Sequence, residues 1–89
     1  MKSVTTPKFR RALEKLPARI QRKARKTYKQ WKQNPQHPSL EFKQIHSRDK
    51  IYAVRVGLGY RALGVIKDDI IIWFWIGSHE DYNKLVDQL

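Results

Sequence analysis

Apolar positions recur at helical spacing in the first part of the chain and at strand spacing in the second. Phe9, Ala12, Leu13 and Leu16 form one stripe at the 3.6-residue period. Thr6 offers an N-cap and Pro7 suits the first helical position. Pro17 stops this helix at or near Leu16. A second helix is predicted from about Ala18 to Gln33, with Ile20, Ala24, Thr27, Tyr28 and Trp31 as its buried stripe. The short link makes the two a tight helical hairpin. Asn34–Pro38 follows as a rigid exit loop, with His37 as a loop residue.

Beyond this loop the period shortens to two. Leu40–His46 is predicted as a strand, with Leu40, Phe42 and Gln44 on one face and Glu41, Lys43 and Ile45 on the other. Ser47–Lys50 is a polar turn. Ile51–Val56 and Tyr60–Ile66 form a hairpin around Gly57-Leu58-Gly59, and Lys67–Asp69 is the next turn. Ile70–Ile76 is apolar without alternation, as a central strand covered on both faces requires. Trp73 and Trp75 are read as sharing one face of it, in the core. Gly77-Ser78 closes the strand. Ser78 then caps a short helix from His79 to about Asp87, with Glu80 and Asp81 in its first turn. Met1–Thr5 is short and can pair as an edge strand through Val4. The predicted fold class is α+β: a helical hairpin packed on a three- to four-stranded antiparallel sheet, with a short C-terminal helix. At 89 residues the chain forms one domain, 1–89.

Composition narrows the function. There is no cysteine, so disulfides, thiolate metal sites and a cysteine nucleophile are excluded, which fits a cytoplasmic location. The N-terminus lacks the apolar core of a signal peptide, and Ile70–Ile76 is too short to span a bilayer. The net charge is +11, and its distribution is lopsided: residues 1–32 carry twelve Lys and Arg against one acid, Glu14, whereas residues 33–89 carry seven of each sign. A one-sided basic field points to a polyanion, most simply nucleic acid. Arg19, Arg22, Lys23, Lys26 and Lys29 of the second helix are its candidate RNA contacts.

The sheet supplies candidate chemistry. With a three-residue loop, Val56 pairs with Tyr60 and Arg55 with Arg61. Like charges directly opposite destabilise a strand pair, and a phosphate gripped between them relieves that cost. With an even loop the two arginines fall on opposite faces. Alternatively, each pairs with an acid such as Glu41 or Asp81. His79, at the end of the central strand, is a group poised to move a proton near neutral pH. Tyr82 follows three residues later on the same helical face. Lys43 and Lys50 are further phosphate candidates. No HExxH, EF-hand, P-loop or GxGxxG motif occurs, so no cofactor is expected. Glu41, Asp49, Asp68 and Asp69 lie on different strands and turns, which favours chemistry without a metal. The RNA 2′-hydroxyl is then the available nucleophile.

HPSL-EFK at 37–43, IYAVRV at 51–56, GYRALG at 59–64 and WFWIGSHEDYNKL at 73–85 resemble the RelE/ParE superfamily of toxins from bacterial toxin–antitoxin pairs. The resemblance covers nearly the whole chain and implies a RelE-like fold. It further implies a ribosome-dependent mRNA endonuclease that acts without metal and is neutralised by a cognate antitoxin. By position, Arg61 matches the arginine that holds the scissile phosphate, and Arg55 a basic residue on the preceding strand. His79 matches the C-terminal catalytic position, which is histidine in YoeB-like members, and Tyr82 resembles the nearby tyrosine at a different spacing. The acidic base of YoeB-like members falls near Lys43, leaving Glu41 as its substitute. The basic second helix would contact ribosomal RNA. Two further readings stay open: a ParE-like toxin that poisons DNA gyrase, and a non-catalytic module that binds RNA or the ribosome.

Overall fold

The computed structural model describes all 89 residues. The elements run β1 (Lys2–Thr5), α1 (Pro7–Glu14), α2 (Ala18–Gln33), a 3₁₀ turn (Pro38–Leu40), β2 (Lys43–His46), β3 (Ile51–Val56), β4 (Tyr60–Lys67), β5 (Ile70–Ser78) and α3 (His79–Asp87). Thr6 caps α1, its Oγ1 accepting from the Phe9 N–H at 3.0 Å. The Gln21 side-chain amide donates to the carbonyls of Glu14 and Leu16 at 3.2 and 3.0 Å. It thereby satisfies acceptors that the end of α1 leaves open and clamps the helical hairpin.

The sheet has five strands in the order β1-β5-β4-β3-β2. β1 runs parallel to β5, and the other pairs are antiparallel. This corrects the expected three- to four-stranded antiparallel sheet. The N-terminal segment is a full edge strand, with Val4 paired to Ile72. β2 also begins later than predicted. Pro38–Leu40 winds into a 3₁₀ turn, and Glu41 adopts a left-handed backbone (φ 44°, ψ 43°) that interrupts the extended run.

Two cores cover the two faces of the sheet. On the α1–α2 side, Trp31, Leu40, Val54, Val56, Ala62, Ile71, Trp73 and Ile76 pack together. Trp31 meets Trp73 edge-on, with ring centres 5.4 Å apart, an arrangement aromatic quadrupoles favour. On the other side, Ala53, Leu63 and Tyr82 form a smaller core against which Phe74, Trp75, Leu85 and Val86 pack. Trp73 and Trp75 therefore lie on opposite faces, against expectation. A β-bulge is the cause: Leu63 pairs with Trp75 but Gly64 with Trp73, so Phe74 is an extra residue. Tyr28 also departs from the predicted stripe. It is exposed on α2, and its hydroxyl bonds to Ser3 Oγ.

Candidate functional site

The β3–β4 turn has three residues, with Gly57 at φ +68°, a conformation that glycine adopts without steric cost. This odd count sets the register. Val56 pairs with Tyr60 and Arg55 with Arg61, so the two arginines face each other on one side of the sheet. Ala53 and Leu63, two pairs further along and so on the same face, identify that side as the one covered by α3. Arg61 also pairs with Gly77 of β5. An added Cβ at Gly77 would lie 2.7 Å from the Trp75 ring, so a larger residue there would push that indole away. The sequence reading missed this contact; its only signal was a glycine ending an apolar strand.

Each guanidinium is held locally. Arg55 Nε donates to the Gly57 carbonyl at 3.2 Å, and Arg61 Nη1 to the Tyr60 carbonyl at 2.9 Å. One carboxylate lies between them. Glu41 Oε2 is 3.4 Å from Arg55 Nη1 and 3.9 Å from Arg61 Nη2. Both arginines thus share Glu41, while Asp81 pairs with neither. An anion occupies the place where a phosphate was expected. Glu41 is 51% exposed, whereas Arg55 and Arg61 are 30% and 16% exposed.

Ser78 caps α3, its Oγ accepting from the Asp81 N–H at 3.1 Å. His79 is the first helical residue, and its N–H donates to the Gly59 carbonyl at 2.8 Å. That bond ties the start of α3 to the arginine hairpin. The imidazole itself is exposed and stacks on Tyr82, with ring centres 6.0 Å apart and planes inclined by 29°. Tyr82 is placed differently from expectation. It is 9% exposed and belongs to the core with Ala53 and Leu63. Burial raises its phenol above the usual 10.0, and the positive charge of Arg61 opposes that shift. Tyr82 is thus largely withdrawn from solvent, with the His79 ring stacked against it.

Lys43 pairs with Ala53 and so shares the arginine face, exposed. Lys50 does not join the site. It precedes the far end of β3, five residues from Arg55, or roughly 16 Å at strand rise. Arg19, Arg22, Lys23, Lys26 and Lys29 are all exposed on α2. Lys23 and Lys26 line a cleft that includes Arg55 and Gly57.

The fold is that of RelE-type toxin chains. A chain of the RelB–RelE antitoxin–toxin complex from Methanococcus jannaschii superposes with a TM-score of 0.72 at 18% identity, over 92% of this chain and 96% of that one. A chain of the archaeal RelE–RelB complex from Pyrococcus horikoshii OT3 gives 0.70 at 16%, over 86% and 92%. A conserved hypothetical protein of Helicobacter pylori gives 0.63 at 17%, over 90% and 96%. No curated protein sequence matches the chain. The family model for the ParE-like toxin domain matches residues 18–84. The chain belongs to that family, within the RelE/ParE superfamily. No helix is long and apolar enough to cross a membrane.

Proposed function

We propose that this chain is the toxin of a toxin–antitoxin pair and that it inhibits translation by cutting ribosome-bound mRNA without a metal. The observation that carries this reading is the direct pairing of Arg55 with Arg61, beside the start of α3 where His79 stands. The two relatives solved as antitoxin–toxin complexes support a cognate antitoxin as partner.

In this reading the RNA 2′-hydroxyl attacks the adjacent phosphorus, and the bond to the 5′-oxygen of the next nucleotide breaks. The products are a 2′,3′-cyclic phosphate and a 5′-hydroxyl. Arg55 and Arg61 bind the non-bridging oxygens and offset the charge that builds on them. His79 gives a proton to the leaving 5′-oxygen. Glu41, the acid beside the arginines, takes the proton of the 2′-hydroxyl. Tyr82 holds the imidazole ring, and Lys43 extends the anion-binding face.

The ParE-like description of the family model favours a second reading, in which the chain poisons DNA gyrase and needs no nuclease site. Expression in cells separates the two. The nuclease reading expects growth arrest with mRNA cut at discrete positions in primer extension and chromosomal DNA intact. It also expects His79→Ala and Arg61→Ala to relieve the arrest. DNA breaks with intact mRNA would select the gyrase reading. Ribosome binding with neither lesion would leave only a binding module.

A further inference from the structure

A second cationic cleft lies behind Arg55. β2 begins at Lys43, opposite Ala53, so beyond that pair β3 has no strand neighbour on this side. Across this uncovered end, α2 and the β3–β4 turn enclose a cleft of about 360 Å³. Its walls bring together Lys23, Lys26, Thr27, Gln30, Ser39 and Arg55, and no acid lines it. The space is roomy for a phosphate with bridging waters, since a water's share of the liquid is about 30 Å³.

The cleft is more than a patch of mobile lysines. The stem of Lys23 lies over the turn: an added Cβ at Gly57 would be 3.3 Å from Lys23 Cε and 3.5 Å from its Cγ. Gly57, at φ +68°, leaves the space in which that stem packs. Arg55 belongs to both places. Its Nε holds the Gly57 carbonyl at the rim of the cleft, while its Nη1 faces Glu41 on the side of Arg61.

We infer that this cleft is a second phosphate site, and that it takes the neighbouring backbone phosphate of the same RNA strand whose scissile phosphate lies between Arg55 and Arg61. Arg55 then spans two consecutive phosphates. Lys23 and Lys26 hold the second one and thereby fix which phosphate reaches His79. The inference rests on the nuclease reading for the position of the first phosphate.

Binding of short oligoribonucleotides, followed by NMR titration of the ¹⁵N-labelled protein, tests it. The probes are a dinucleotide with one phosphate and a trinucleotide with two, each 2′-deoxy at every nucleotide that precedes a phosphate so that neither is cut. Wild-type protein is expected to bind the trinucleotide at least about tenfold more tightly than the dinucleotide. Lys23→Met/Lys26→Met keeps the stems and removes the charges. It is expected to bind the dinucleotide like wild type and to lose the step to two phosphates. Its trinucleotide salt slope should flatten by about 0.7, the value for one phosphate contact on a single strand. Lys8→Met/Lys15→Met, on and just after α1, should keep the step. Equal losses in the two double variants would show only a diffuse basic field and overturn the site, as would a wild-type protein with no step. Failure of the nuclease reading shows elsewhere: Arg61→Ala would then bind the dinucleotide as tightly as wild type.

Discussion

Glu41 decides whether the arginine pair is open to an incoming anion. Its carboxylate contacts are long, at 3.4 and 3.9 Å, and half exposed to water. Such pairs contribute at most about 1 kcal/mol, so an incoming phosphate can displace the carboxylate at little cost. Glu41→Gln is accordingly expected to change unfolding free energy by less than about 1 kcal/mol in urea titrations. The same variant should bind a non-cleavable oligoribonucleotide more tightly and cut more slowly. Tighter binding with unchanged cutting would remove Glu41 as the base. Tyr82 is the other residue with a measurable signature. Its phenol is raised above 10.0, with burial the larger cause and the Arg61 charge opposing. The fold therefore resists the phenolate: this contribution is fully present below about pH 10 and is lost as pH rises through the raised value. Relative to Tyr82→Phe, wild-type protein should lose stability as pH rises above about 10. Parallel pH profiles for the two proteins would contradict the burial.

At the scale of elements, the arginine hairpin was legible because a count of three loop residues leaves one register. The β5 bulge was not. Trp73-Phe74-Trp75 is apolar at every position, so no alternation betrays the extra residue, and only the partners Leu63 and Gly64 reveal it. The start of β2 was hidden for a different reason: a non-glycine residue, Glu41, takes a left-handed backbone that its side chain does not announce. α3 was readable because Ser78 and two acids mark its first turn. In the nuclease reading that cap bears on function as well as stability. Ser78→Ala should cost about 1 kcal/mol and lower cleavage more than binding, because His79 begins the helix. Gly64 is a harder constraint. A Cβ there would lie 2.8 Å from both Ile71 Cγ1 and the Trp73 ring, and neither neighbour has room to retreat. Gly64→Ala is expected to cost about 1–3 kcal/mol by overpacking, read from the shift in the urea midpoint.

At the scale of the molecule, charge and chemistry are separated along the chain and joined in space. The excess positive charge lies before residue 33, whereas Arg55, Arg61 and His79 come from the sheet and the helix after it. The Lys23 stem over Gly57 is one place where the basic helix meets the arginine hairpin. The sequence showed the basic field and the site separately. The contact between them was illegible, because nothing in a lysine-rich helix singles out the lysine that packs on a turn. The most direct test is cleavage of mRNA on purified ribosomes by purified protein, with a chelator present and the new ends identified. Wild type should leave a 2′,3′-cyclic phosphate and a 5′-hydroxyl. Folded Arg61→Ala and His79→Ala should each be slower by about 10²-fold or more, the scale of losing an anion-stabilising group or a general acid. Cutting by either folded variant at the wild-type rate, or no cutting by wild type, would contradict the assigned site.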